Sequence, residues 1–130
     1  MVAYSFQRRF CDQIVRFEKR QTIRLPRKRH ARPGEPVQLY FGMRTKHCRK
    51  QVSLDPICKS VDPIRFHVPS DGSLARVEPP DREMRPVSDR FAQLDGFDDA
   101  DDFTRFWLEH HGAGEFQGVL IRWGRWERAG

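Results

Sequence analysis

The chain has 130 residues, of which 38% are hydrophobic, 12% aromatic and 32% charged, with a net charge of +6; a length of roughly 100 to 150 residues suits one domain with its own core, expected here over residues 1–130. That aromatic content excludes a globally disordered chain, and no apolar run approaches the roughly 18 residues of a membrane span. The three cysteines, Cys11, Cys48 and Cys58, form neither a CxxC pair nor an even disulfide set, and no signal peptide is read at the start, so a cytoplasmic protein is expected.

The charge is segregated along the chain. Residues 1–50 carry fourteen Lys and Arg against Asp12, Glu18 and Glu35, whereas residues 51–102 carry six cations against twelve acids. Such a basic half suits a polyanion or nucleotide partner and raises its encounter rate. The alternation in AYSF predicts a first strand. RRFCDQIVRF places Phe10, Ile14 and Phe17 at i, i+4 and i+7, which predicts an amphipathic helix with a basic outer face. TIRL reads as a strand ended by Pro26, ARPGEP as a turn, and PVQLYFGM as a second strand.

From Cys48 to Val68 polar and apolar residues alternate, and Pro56 and Pro63 predict short strands bent at those points. PSDGSLARVEPPDREMRPVSD predicts an irregular connection with one short hairpin strand. DDADDFTRFWLEHHG has acids in its first turn, Phe103, Phe106, Trp107 and His110 at helical spacing, and Gly112 as a stop, which predicts a helix. FQGVLIRWGRW closes as a strand with Val119, Ile121 and Trp123 on one face. His110 reads as a dipole-favoured helix end rather than a reacting group. His110 and His111 are adjacent and point about 100° apart on a helix, and no metal or cofactor motif is found.

The stretch FEKRQTIRLPRKRH, residues 17–30, combines six cations with a polar and apolar alternation. In an extended segment Thr22 and Arg24 share one face while Ile23 and Leu25 face a core. Lys19 meets Thr22 only if the chain turns near residues 18–20. An amine beside a hydroxyl, with cations nearby to lower the amine pKa, would be a nucleophile and its base; the alternative is a solvated lysine and a strand-edge threonine. Arg24 has the fork to bind phosphate or a base edge. Tyr40, Trp123 and Trp126 are candidates for stacking on a base or for core packing. Residues 42–46, Gly-Met-Arg-Thr-Lys, are read as the second wall of a cleft.

The run K-R-Q-T-I-R resembles the K-x-x-T-x-R signature of the ASCH domain, a small member of the PUA-like superfamily. FAQLDGF, the aromatic helix and the closing GVLIRW are similar to that family's A-x-x-(E/D)-G segment, helix and last strand, so the resemblance covers nearly the whole chain. It implies an α+β fold, a small PUA-like β-barrel flanked by helices, and binding of RNA or a modified nucleoside. Some family members remove the acyl group from N4-acetylcytidine with a Lys, a Thr and a Glu, which fall here on Lys19, Thr22 and Asp95. Two departures stand out: Phe17 occupies a position usually held by Gly, and Asp95 is about 1.5 Å shorter in reach than Glu. Recognition of RNA or a nucleotide is therefore expected first, through Arg20, Arg24, Arg27, Lys28, Arg29, Arg44, Lys46 and Arg49 around the Lys19, Thr22 and Asp95 pocket. An N4-acylcytidine amidohydrolase, a ribonuclease and a non-catalytic inhibitor of a nucleic-acid-binding protein are the other readings.

Overall fold

The alternation at the N-terminus folds as strand β1, Val2–Phe6, with Val2, Tyr4 and Phe6 buried. The computed structural model describes residues 2–43, 45–52, 54–78 and 83–124. Residues 8–17, expected as one helix, instead form a 3-10 turn, Arg8–Phe10, and a short helix α1, Cys11–Val15. Phe10 and Ile14 are buried as their spacing requires. Phe17 has left the helix with φ 60°, the single non-glycine residue at positive φ among the described residues. The amides of Phe17 and Glu18 donate to the carbonyls of Ile14 and Gln13, the Schellman ending in which the residue beyond the helix cap turns left-handed. Phe17 thus makes the turn that a glycine would make at lower conformational cost.

Strand β2, Gln21–Arg24, follows at once. Leu25, predicted to face the core, lies beyond the strand end and is 39% exposed; Pro26 cannot extend the ladder. Strand β3, Val37–Phe41, lies parallel to β1 and antiparallel to the two-residue β4, Arg49–Lys50. The bent short strands expected before Val68 are one twelve-residue strand, β5, Ile57–Val68, with an irregularity between Cys58 and Ser60. Pro63 is accommodated because the next strand, β6, Arg76–Glu78, pairs only with Arg65 to His67. At Pro63 β5 therefore has a neighbour on one side only among the described residues, an edge position of the kind in which proline is tolerated.

The acidic connection contains the β6 hairpin with β7, Arg85–Pro86, and then a helix not expected from the sequence, α2, Asp89–Leu94, whose Ser88 hydroxyl accepts from the Phe91 amide. Helix α3, Ala100–His111, is capped by Asp99 and buries Phe103 and Trp107. Strand β8, Gly114–Gly124, runs between β2 and β5, giving the sheet order β2-β8-β5-β6-β7 beside the smaller β1-β3-β4. Ile121 and Trp123 share a buried face, and Leu120 on the other face is buried too. The fold is α+β, and the two ladders stay separate sheets among the described residues.

One apolar cluster joins the layers. The Phe66 ring of β5 meets Trp107 of α3 edge-on at 4.7 Å and stacks on Phe116 of β8 at 5.2 Å. Phe97 sits between Phe10, Phe103 and Phe106, so the aromatic stripe of α3 is pinned against the 3-10 turn preceding α1. No helix among the described residues is long and apolar enough to cross a membrane.

Candidate functional site

A cavity of about 330 Å³ opens where β1, the residues after α1, β2 and α3 converge, and Lys19, Thr22, Arg24 and Asp95 all line it. The three catalytic candidates, scattered over 77 positions of the sequence, are buried together: Lys19 at 3%, Thr22 at 5% and Asp95 at 3% exposure.

Lys19 is deeper than a strand-edge lysine. The Schellman turn at Phe17 swings the chain back so that Lys19 enters the interior, where its Nζ donates to the carbonyl oxygens of Gln21 at 2.8 Å and of Asp95 at 2.5 Å. It lies over the rings of Phe10 and Phe6, 4.8 and 5.3 Å from their centroids, and 3.9 Å from Asp95 Oδ1. Gly96 makes this passage possible. It has φ 95°, and a Cβ there would stand 2.8 Å from each of Lys19 Cδ, Gln13 Oε1 and a Phe10 ring carbon. The D-G pair therefore has a mechanical role: the aspartate faces the amine, and the glycine leaves room for the lysine stem.

Burial dominates the electrostatics of the pair. It pulls the Lys19 amine down to about 8, against the opposing pull of Asp95, and pushes the Asp95 carboxyl up to about 6, against the opposing pull of Lys19. Asp95 Oδ1 is fully buried and accepts no hydrogen bond among the described residues. It keeps the Lys19 amine as its ion-pair partner, and a buried acceptor without a hydrogen bond is the kind of group that calls for a functional explanation.

Arg24 forms the other wall. Its Nε donates to Thr22 Oγ1 at 3.2 Å, its Nη2 donates to the Ser5 carbonyl at 2.8 Å, and its guanidinium lies over the rings of Phe6 and Tyr4. Burial lowers its pKa to about 10, so it is still a cation at neutral pH. Phe6, Phe10, Phe97, Phe106 and Trp107 supply apolar lining, and His111 stands beside Trp107, with ring centroids 4.5 Å apart. His111 and not His110 lines the cavity; His110 lies against Phe106 at 4.4 Å. The helical spacing of the sequence marked this stripe as core, and its dual use as core and pocket wall carries no separate sequence signal.

The remaining cations are dispersed. Arg20 lines a different cavity. Arg27 donates to the carbonyls of Arg29 and Ala3 and covers the Tyr4 ring. Arg29 is ion-paired with Glu35 at 2.6 Å. Arg49 lies over Phe41, Lys28 and Lys46 are exposed, and Arg44 and Trp126 fall outside the described residues. Trp123, a stacking candidate, is buried edge-on against Phe6, and Tyr40 is half-buried in β3. The Met43 amide donates to Ser5 Oγ, which brings the expected second wall to the pocket rim without making it part of the lining.

These groups offer an amine of lowered basicity, a hydroxyl and a carboxyl of raised pKa, the raw material of acid–base and nucleophilic chemistry. No hydrogen bond joins Lys19 to Thr22; two of the amine's protons are directed to backbone carbonyls. Compared with family models, with curated proteins and with solved structures, the chain matches none.

Proposed function

We propose that the pocket receives one nucleobase or nucleoside, free or as part of an RNA strand, and that the protein is a recognition module of the ASCH type with a PUA-like arrangement of its strands. The observation that carries this reading is the meeting of Thr22, Arg24 and an Asp95 carboxylate oxygen, whose ion pair with Lys19 at 3.9 Å leaves it without a hydrogen bond, in a cavity walled by aromatic rings. Its size is at the small end of the roughly 300–1,000 Å³ that small-ligand sites span. Flat apolar walls with a few convergent polar groups suit a heteroaromatic ring read on its edge. Asp95 would accept from an exocyclic amine, and Arg24 and Thr22 would address a carbonyl or ring nitrogen. The exposed cations Lys28 and Lys46 outside the pocket would attract the phosphates of a longer chain.

A second reading, removal of an acyl group from N4-acetylcytidine, is favoured by the lowered pKa of Lys19. In it Lys19 takes the Thr22 proton, Thr22 Oγ attacks the acyl carbonyl, and protonated Asp95 gives its proton to the departing exocyclic amine; water then releases the acyl group. We put recognition first because the Lys19 amine is directed to the Gln21 and Asp95 carbonyls and not to Thr22.

The test is titration of the protein with cytidine, uridine and N4-acetylcytidine, followed by nuclear magnetic resonance, with mass analysis of the nucleosides afterwards. Saturable shifts at Thr22, Arg24 and Asp95 support recognition, and released acetate supports the hydrolase. No shift at these residues with any nucleoside or with single-stranded RNA would overturn both.

A further inference from the structure

A second cleft, of about 890 Å³, lies between α1, α2 and the C-terminal end of β8 and shares no lining residue with the pocket. Arg16, Arg20, Lys59, Arg90 and Arg122 line it; among the described residues none of its lining is acidic and none of the five makes an ion pair. Like charges gathered in one concavity repel each other and focus a positive potential. The fold holds them there through specific devices. The irregularity between Cys58 and Ser60 leaves Lys59 out of the β5–β8 register, as bulges do where a side chain is re-aimed. Gly124 then gives that side chain its path: a Cβ on Gly124 would stand 2.1 Å from Lys59 Cε. The Arg20 amide donates to the Leu94 carbonyl and the Trp123 amide to the Arg20 carbonyl, which ties three walls of the cleft together at its centre. Trp123, in the lining and 2% exposed, has an indole N–H with no acceptor among the described residues.

We infer that this cleft binds the sugar-phosphate backbone of a single-stranded nucleic acid. Four of the five cations are arginines, whose planar forks match phosphate oxygens, and the cleft has more than twice the volume of the pocket. A concave track lined by cations is how backbones of single strands are held without reading sequence. The inference shares its ligand class with the proposal above but not its residues.

The test is fluorescence anisotropy of a 5′-labelled dodecamer of uridylate with the full chain between 50 and 200 mM salt. With five phosphate contacts on a single strand the slope of log affinity on log salt is about −3.5, a loss of roughly 130-fold over that range. Arg90→Ala/Arg122→Ala should reduce the slope to about −2.1 and the loss to roughly 20-fold, whereas Arg85→Ala/Arg105→Ala, which removes equal charge from exposed residues that line neither cavity, should change it less. All five cations are exposed, so the variants should fold, and thermal melting of the unliganded Arg90→Ala/Arg122→Ala protein at or above the wild-type temperature checks that. Equal slopes for the two double variants would overturn the inference. So would tripolyphosphate displacing the dodecamer at equal molar concentration, the sign of a small-anion site, or binding only to an acidic protein. Failure of the pocket proposal would appear separately, as absent nucleoside shifts, with this salt dependence unaffected.

Discussion

The Lys19–Asp95 pair makes a specific claim about stability and pH. The folded-state pKa of Asp95 is raised from 3.8 to about 6, so the folded protein holds a proton that the unfolded chain releases between those values. Its contribution is most favourable below pH 3.8 and is lost as pH rises through about 6. Lys19 is lowered from 10.5 to about 8, so its contribution is most favourable above 10.5 and is lost as pH falls through about 8. Each shift is worth on the order of 3 kcal/mol at 1.36 kcal/mol per pKa unit. The pair's contribution therefore has a trough between pH 6 and 8, with a rise on either side. The assay is urea unfolding at pH 4.5, 7 and 9.5 of wild type and of Lys19→Met/Asp95→Leu, a substitution by apolar groups of similar bulk. The difference, wild type minus double variant, should be lowest at pH 7. Asp95→Asn alone should cost about 3–5 kcal/mol at pH 7, because it strands a buried ammonium, and less at pH 9.5, where Lys19 is neutral. A difference curve that peaks at pH 7 would refute the reasoning, since mutual attraction would then outweigh burial.

Gly96→Ala should destabilise by about 3 kcal/mol or more in the same unfolding assay through a strained φ and overpacking, and nucleoside shifts should vanish with it as Lys19 is displaced. Thr22→Val keeps the shape but removes the acceptor for Arg24 Nε; calorimetry should show a loss of about 1–3 kcal/mol in stability, and nucleoside affinity should fall at least tenfold.

Lys19, Thr22, Arg24 and Asp95 were legible in the sequence because the K-x-x-T-x-R run and the D-G pair are local patterns, whereas the aromatic wall was not. What brings the four together was not legible either. Alternation in TIRL placed Thr22 and Arg24 on one face, as found, but assigned Leu25 to the core, because periodicity does not say where a strand stops. The burial of Lys19 depends on a left-handed Phe17, a conformation that residue type argues against. Arg29 looked like a free cation from its neighbours in sequence, yet Glu35 neutralises it across the turn. Arg16, Lys59, Arg90 and Arg122 are each unremarkable in sequence, and only tertiary packing collects them. Pro63 looked like a break in β5 because sequence does not reveal on which side a strand has a neighbour.

Strand β8 supplies the partner for both β2 and β5, and Thr22 pairs with Ile121. The pocket floor thus depends on a contact between strands about a hundred residues apart in sequence, of the kind that makes folding slow and dominated by loop closure. During synthesis, Thr22 emerges 99 residues ahead of Ile121, its partner in the ladder, and their sheet cannot form before both are out. Through that interval the backbone edge of β2 and the Ile23 side chain are open to wrong pairing. The nascent chain is therefore most vulnerable to aggregation, and most dependent on chaperones, until residue 122 has left the ribosome.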